Sequence, residues 1–178
     1  GIEFNEEAIR QATAKGLHVY SEPVQMVAAK QRAEYDVATS FQVLEHIADV
    51  KGFLQAKVDL VKPGGLVIIG VPHNNPFVYK KDKYHILNLP PHHMGLWGER
   101  SLASLQDYFP MKLESVHIEP LDDLFYYAFV QASLAGLYAR LYRGSKLFRA
   151  SGRLFNKITR PVSRGIKGRN IVAVYRKK

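Results

Sequence analysis

The chain contains no cysteine among its 178 residues. This absence excludes disulfide bonds, thiolate zinc sites and cysteine nucleophiles. A chain without disulfides is typical of a reducing compartment. The first ten residues, GIEFNEEAIR, carry acidic side chains where a secretory signal would have a basic and then an apolar segment. The composition therefore predicts a cytoplasmic protein.

Acidic residues are missing from the C-terminal third of the chain. All 16 of them lie at or before Asp123, together with 12 of the 25 basic residues. The last 55 residues therefore carry 13 basic side chains and no acidic one. Such asymmetry is typical of a surface that binds a polyanion, either nucleic acid or anionic lipid headgroups. The alternative is a solvated basic face that only aids solubility.

No apolar run reaches membrane-spanning length. Leu124–Ala139 is uncharged and rich in aromatic residues, but its 16 residues fall short of the ~20 that a spanning helix requires. Further along, apolar residues such as Leu147, Phe148 and Ile158 alternate with basic ones, as in a basic amphipathic helix. We expect residues 122–169 to form a helical basic insertion at an anionic membrane surface. Nucleic acid is the less favoured partner, and a core helix or a homo-oligomer helix is the remaining alternative.

The remaining sequence alternates between helical and strand patterns and predicts one α/β domain over residues 1–178. Asn5 can cap a helix that ends before Gly16, and Asp49 can open a helix that Lys62-Pro63-Gly64-Gly65 stops. Predicted strands cover residues 1–3, 17–20, 35–40, 66–71, 111–118 and 170–176, and a further helix covers residues 99–108. The run LVIIGV at 66–71 indicates a strand buried on both faces of a parallel sheet, whereas the last two strands predict an antiparallel edge.

Glu3 stands at the end of the first predicted strand. Open α/β sheets bind their ligands outside the carboxyl ends of the strands. A carboxylate there can accept hydrogen bonds from both hydroxyls of a ribose. The alternative is that Glu3 only assists the N-terminus of the following helix.

A second polar group follows the predicted strand at 35–40, where Gln42, Glu45 and His46 lie within five residues of one another. Histidine is the usual acid or base near neutral pH, and a neighbouring carboxylate can orient it. His73 follows the strand at 66–71 and should lie at the same edge. We predict His46 and His73 as candidate bases, with Glu45 as the group that orients them. The alternative is that Glu45 and His46 only cap the next helix.

Four segments in order resemble the class I S-adenosylmethionine-dependent methyltransferases, in the broad subgroup with a V-L-E-H motif that includes ubiquinone-pathway O-methyltransferases. The matching segments are GIEFNEEAI, YDVATSFQVLEHIADVKGFL, LVKPGGLVIIGVP and HHMGLWGERSLASLQDYFP. The resemblance covers about residues 1–119 and the last strand. It implies a doubly wound, mostly parallel seven-stranded sheet in the order 3-2-1-4-5-7-6, with a helical insertion before the last strand.

The resemblance also implies a cofactor, a reaction and the residues that bind the cofactor. S-adenosylmethionine would donate a methyl group to an oxygen or nitrogen of a small or lipid-like acceptor. Glu3 matches the residue that holds the ribose hydroxyls, and Phe4 matches the position that flanks the adenine. Ser40, Phe41 and Gln42 match the loop beside the methionine half of the cofactor.

The sequence departs from this family at its start. In the family, a first, central strand and a glycine-rich G-x-G-x-G turn precede the acidic residue, and here Glu3 is preceded only by Gly1 and Ile2. Those glycines let the backbone approach the cofactor. Without that strand we expect two unpaired strand edges and a chain that folds poorly by itself. A non-catalytic module that binds membrane or nucleic acid is the competing hypothesis.

The V-L-E-H segment also bears on metal binding. The ubiquinone-pathway enzymes and the small-RNA 2′-O-methyltransferases show E-x-x-E-H here and bind a divalent cation. This chain has Gln42 in place of the first carboxylate, and losing an anionic ligand weakens a site for a hard cation. His92 or His93 could complete such a site, but the sequence predicts none.

Overall fold

The computed structural model describes residues 1–73, 89–120 and 167–178. Its helices are α1 (Glu6–Ala14), α2 (Val24–Lys30), α3 (Val50–Leu60) and α4 (Glu99–Tyr108), and a 3-10 helix covers Leu44–His46. Its strands are β1 (Tyr35–Phe41), β2 (Val61–Pro72), β3 (Met111–Pro120) and β4 (Lys167–Lys177). None of the helices in these ranges has the length and apolar character needed to cross a membrane.

The predicted basic insertion falls almost entirely outside the described residues, and so do the apolar run Leu124–Ala139 and the amphipathic segment after it. Its predicted end at residue 169 overlaps β4, because that strand begins at Lys167 rather than at Asn170. The ammonium of Lys167 lies 2.6 Å from the Glu99 carboxylate. Two basic residues of the predicted insertion, Lys167 and Arg169, are therefore part of the sheet.

The four strands form one sheet in the order β1-β2-β4-β3. Strand β1 runs parallel to β2, and β4 runs antiparallel to both β2 and β3. This arrangement matches the 4-5-7-6 half of the expected order and confirms the α/β fold with an antiparallel edge. In the described ranges β1 has one strand neighbour, so its other edge is unpaired there.

The predicted strand pair within residues 1–20 is reduced to a single parallel bridge between Ile2 and Tyr20. Its direction is as expected, but most of residues 17–20 are not in a strand. Helix α1 follows this bridge and begins as predicted, since Asn5 Oδ1 accepts a hydrogen bond from the Ala8 amide at 3.0 Å. Gly16 ends the helical segment with a φ of +76°.

The core lies on one face of the sheet. Helices α3 and α4 pack against fully buried strand residues of that face, namely Val67, Ile69 and Val71 on β2 and Ile171, Ala173 and Tyr175 on β4. Ile68, between two of these residues, is only half-buried. Strand β2 is thus fully buried on one face and partly on the other, which differs from the predicted burial on both faces.

The segment Lys62–Gly65 does more than stop helix α3. The pairing of β1 with β2 jumps here from Tyr35↔Val61 to Val37↔Leu66, so these residues form an irregularity inside β2. Gly64 adopts a φ of +79°, and a Cβ on Gly65 would lie 2.6 Å from the carbonyl oxygen of Asp36. Both glycines therefore fulfil a backbone requirement where the parallel strands first meet.

Candidate active site at the carboxyl end of the parallel strands

The carboxyl end of β1 carries three of the predicted cofactor residues. Phe41 pairs with Gly70 of β2, and a Cβ on Gly70 would lie 2.5 Å from Cδ1 of the Phe41 ring. The missing side chain of Gly70 therefore leaves room for this ring, which is 56% exposed. Gln42 follows with a φ of +55°, and its amide donates to the Gly70 carbonyl at 2.9 Å. Ser40 and Phe41 thus end β1, and Gln42 begins the turn that follows at the sheet edge.

Glu45 lies in the 3-10 helix just after this turn, and only 1% of its surface is exposed. Neither carboxylate oxygen has a hydrogen-bond partner among the described residues. Burial raises the pKa of this carboxyl group. Because an unpaired buried carboxylate is costly, a proton or a bound cation would stabilise it.

His46 is held in one tautomer by the neighbouring loop. Its Nδ1 lies 2.5 Å from the carbonyl oxygen of His92, so Nδ1 carries the proton and donates it to that oxygen. The other ring nitrogen, Nε2, keeps its lone pair and lies 3.8 Å from Glu45 Oε1. The His46 side chain is half exposed. This arrangement suits a base, because Nε2 can take a proton and the carboxylate beside it stabilises the resulting cation.

The loop at 92–95 is attached to the same turn. The amides of Met94 and Gly95 donate to the Glu45 carbonyl at 2.7 and 3.2 Å. The ring of His93 meets that of His46 edge to face, with 4.9 Å between centroids. One potential ligand atom from each of Glu45, His46 and His93 lies within 4.8 Å of the others. These three residues could hold a metal ion, so the prediction of no metal stays a prediction.

His73 follows β2 as predicted, but it is buried and its recorded contacts are with Trp97 and Arg169 rather than with Glu45 and His46. Its amide donates to the Arg169 carbonyl at 2.6 Å, and it forms a parallel bridge with Trp97. Nδ1 has no hydrogen-bond partner in the described ranges. Burial lowers the pKa of this imidazole, and the charge of Lys167 acts in the same direction, while that of Glu99 opposes it. His73 is therefore held neutral and is less accessible to a ligand than His46.

Glu3 and Phe4 lie on the Ile2–Tyr20 pair, and no hydrogen bond or ion pair joins them to Ser40–His46 in the described part of the chain. Glu3 Oε1 accepts from the amides of Phe4 and Asn5 at 2.8 and 2.9 Å, and these bonds, led by that from Asn5, lower the pKa of the carboxyl group. This supports the alternative that Glu3 assists the turn into α1. Its second oxygen has no partner among the described residues and remains available to a ligand.

Sequence reasoning missed two residues that contact the predicted loop. Lys57 of α3 is buried, and its ammonium donates to Ser40 Oγ at 2.7 Å and to the Ile68 carbonyl at 2.9 Å. A lysine within the apolar stripe of α3 was the available signal. Asn170 of β4 bonds to Gln42 at 3.2 Å, and nothing in the local sequence indicates a contact between residues so far apart.

Comparison with known proteins places this arrangement in a family. A family profile described as "Methyltransferase domain" matches residues 1–109. The chain belongs to the methyltransferase domain family. The resemblance identified from the sequence motifs is thereby confirmed.

Two curated relatives of this methyltransferase domain are named ubiquinone biosynthesis O-methyltransferases. The protein from Bordetella avium is 33% identical over 82 residues, which cover 43% of this chain and 34% of the relative. The protein from Leptothrix cholodnii is 35% identical over 83 residues, which cover 43% of this chain and 35% of the relative. The chain thus spans about a third of the length of these relatives.

Solved structures confirm the fold. The methyltransferase domain resembles the SAM-dependent methyltransferase from Archaeoglobus fulgidus with a TM-score of 0.58 and 14% identity, over 99% of this chain and 75% of that one. It resembles the YcgJ protein from Bacillus subtilis with a TM-score of 0.56 and 12% identity, over 100% of this chain and 81% of that one. At such low identity the likeness concerns the fold alone.

Proposed function

We propose that the protein of which this domain is part transfers a methyl group from S-adenosylmethionine to an oxygen of a small or lipid-like acceptor. Family membership supports methyl transfer, and the names of the relatives favour oxygen over nitrogen. The observation that carries the proposal is the lone pair of His46 Nε2. The ring is oriented by the His92 carbonyl, and His46 follows the predicted cofactor residue Gln42 by four positions along the chain.

The described residues fit this cofactor. Glu3 offers a carboxylate whose Oε1 is anchored by two amides and whose other oxygen can accept a ribose hydroxyl. Phe4 and Phe41 are exposed aromatic rings, 63% and 56% accessible, that can flank a flat base or an apolar chain. When bound, S-adenosylmethionine supplies an electrophilic methyl group. The protein then has to bind, orient and desolvate the reacting groups.

The remaining task of the protein is to remove the proton of the acceptor. A hydroxyl group is a weak nucleophile until it is deprotonated. His46 Nε2 takes this proton in the proposal, and the buried Glu45 carboxylate 3.8 Å away stabilises the imidazolium. His73 is a second candidate base, but its burial and its lowered pKa favour a role in packing.

A divalent cation on Glu45, His46 and His93 is the second candidate for activating the acceptor. Two unpartnered carboxylate oxygens and two imidazoles gather there, with ligand atoms within 4.8 Å of one another. One carboxylate and two imidazoles suit a borderline ion such as Zn²⁺ better than the harder ions Mg²⁺ and Ca²⁺. Gln42 offers at most a neutral amide oxygen where the related motif has a carboxylate, because its Nε2 is bonded to Asn170.

Replacing Glu3 by alanine in the full-length protein should weaken S-adenosylmethionine binding roughly 5- to 100-fold, because charge-assisted hydrogen bonds to the ribose are lost. Calorimetry measures the affinity directly. Glu7→Ala is the matched control, since Glu7 is an exposed acid of the next helix that pairs with Arg10. Equal affinities for Glu3→Ala and wild type would contradict the ribose assignment. A wild-type protein that binds no S-adenosylmethionine would favour the non-catalytic module instead.

We also propose an anionic membrane surface as the partner of residues 122–169. Support comes from the sequence pattern, since nearly all of this segment lies outside the described residues. Replacing Arg149, Arg153, Lys157 and Arg160 by glutamine should reduce sedimentation with anionic vesicles about tenfold or more, because each basic residue near such a surface contributes ~1 kcal/mol. The matched control neutralises four exposed basic residues elsewhere, namely Lys15, Lys51, Arg100 and Lys112. Salt-dependent binding to RNA without vesicle binding would replace the membrane with nucleic acid.

A further inference from the structure

A chain of three polar side chains crosses the sheet edge beside the candidate site. Gln42, after β1, donates from Nε2 to Asn170 Oδ1 on β4 at 3.2 Å. Asn170 in turn donates from Nδ2 to Glu119 Oε1 near the end of β3 at 2.7 Å. The chain therefore links the turn that follows β1 to the two antiparallel strands.

The backbone fixes the positions of all three residues. The backbone N–H of Gln42 donates a hydrogen bond to the Gly70 carbonyl oxygen. Asn170 pairs with Pro72 in the β2–β4 register. A Cβ on Gly168 would lie 2.7 Å from the carbonyl oxygens of Glu119 and Pro120, so the ends of β3 and β4 are in close contact. The side-chain bonds thus rest on a well-defined frame.

The Glu119 carboxylate sets the direction of both side-chain hydrogen bonds. An ionised carboxylate only accepts hydrogen bonds, whereas a side-chain amide has one accepting and one donating end. Glu119 must therefore take the Nδ2 end of Asn170, which turns Oδ1 of Asn170 towards Gln42. Gln42 must then present Nε2 to Asn170, and its Oε1 is left without a partner among the described residues.

We propose that Glu119, acting through Asn170, sets the polarity of the Gln42 amide so that Gln42 Oε1 accepts a hydrogen bond from a bound ligand. This inference rests on the proposed function. The ligand group is an N–H or O–H donor, either the ammonium of the methionine half of the cofactor or the hydroxyl of the methyl acceptor. Glu119 and Asn170 are positioning residues, and Gln42 is the residue that contacts the ligand.

A hydrogen-bond donor in place of the Glu119 carboxylate should reverse the direction of the hydrogen bonds that join Glu119, Asn170 and Gln42. In Glu119→Lys the ammonium attracts Asn170 Oδ1, Asn170 then offers Nδ2 to Gln42, and Gln42 presents Nε2 to the ligand. Glu119→Asp keeps a group that only accepts and should preserve the wild-type polarity. Glu114→Lys is the matched control, because it makes the same charge change on β3 at a residue that pairs with Arg176 instead.

The experiment compares two ligands in the full-length protein. S-adenosylhomocysteine carries the ammonium, and 5′-methylthioadenosine lacks the amino-acid portion. We expect Glu119→Lys to weaken S-adenosylhomocysteine binding roughly 5- to 30-fold in calorimetry and to leave 5′-methylthioadenosine binding unchanged. Glu119→Asp and Glu114→Lys should resemble wild type. This result would identify the cofactor as the donor.

The side-chain amide signals of Asn170 and Gln42 in ¹H–¹⁵N spectra decide the remaining cases. If both ligands keep their affinity in Glu119→Lys while both amide signals shift, the polarity is reversed and the cofactor is not the donor. A raised KM for the methyl acceptor would then identify the acceptor as the donor, and an unchanged KM would overturn the contact between Gln42 and a ligand. If neither the affinities nor the Gln42 signal changes, the inference is overturned. A wild-type protein that binds neither ligand would contradict the proposed function, and the spectra would still decide the polarity of the chain.

Discussion

Replacing Lys57 by methionine should remove a rise in stability that the wild-type protein shows as the pH increases from about 7 to 10. Lys57 is only 2% exposed, and its ammonium has no carboxylate within ion-pair distance among the described residues. Its contacts are Ser40 Oγ, the Ile68 carbonyl and, 5.8 Å away, the centre of the Phe53 ring. Burial lowers the pKa of this amine to about 7.

The sign of the effect follows from the two end states. The unfolded chain keeps the Lys57 proton up to a pH of about 10, whereas the folded protein releases it near pH 7. Between these values the unfolded state binds more protons, so the free energy of unfolding increases with pH. A shift of roughly three pKa units corresponds to an increase of up to about 4 kcal/mol across this window.

Denaturant unfolding at several pH values between 6 and about 10 tests this prediction. The difference in unfolding free energy between wild type and Lys57→Met should grow with pH over this range. Lys51→Met, at an exposed position of the same helix, should run parallel to wild type. Parallel curves for wild type and Lys57→Met would show that the buried amine keeps its proton in the folded state.

Replacing His46 by alanine should slow methyl transfer about 10²- to 10⁴-fold, the range that removal of a general base usually gives. S-adenosylmethionine affinity should change little, because the imidazole acts on the acceptor rather than on the cofactor. His117→Ala is the control, since His117 is an exposed histidine on β3. Single-turnover measurement with a phenolic acceptor gives the rate, and calorimetry gives the affinity.

Further variants and a chelator distinguish whether His46 acts as a base or as a metal ligand. If His46 acts as a base, chelators should leave the rate unchanged and His93→Ala should have a smaller effect than His46→Ala. If the three residues bind a cation, then Glu45→Gln, His46→Ala and His93→Ala should lose activity together, and Zn²⁺ should restore the chelated wild type. A His46→Ala variant with the wild-type rate would exclude both roles.

Local patterns predicted the elements well because the signals for them are local. Asn5 caps α1 as expected, Asp49 caps α3, and helix α4 covers residues 99–108 as predicted. The order of the strands could be predicted because the motifs resemble a family whose order is known. The burial of β2 was overestimated, because apolar residues at successive positions do not reveal that Ile68 is only half-buried.

The candidate site was only partly predictable, because its contacts join residues far apart in the sequence. His46 was identified from the motif, but the His92 carbonyl that fixes its tautomer belongs to a loop 46 residues away. The contact between Gln42 and Asn170 spans 128 residues. Such contacts depend on which strand ends meet in the folded sheet. The spacing of residues along the chain does not reveal which strand ends these are.

The attachment of the loop at 92–95 has a consequence for how the site opens. One carbonyl, that of Glu45, receives both the Met94 and the Gly95 amides, while His46 is bonded to the His92 carbonyl. Moving the loop away breaks all three bonds and withdraws His93 from His46 in the same event. The orientation of the His46 ring and its contact with His93 therefore both depend on the position of one short loop, so a substitution that shifts this loop should disturb the two imidazoles together.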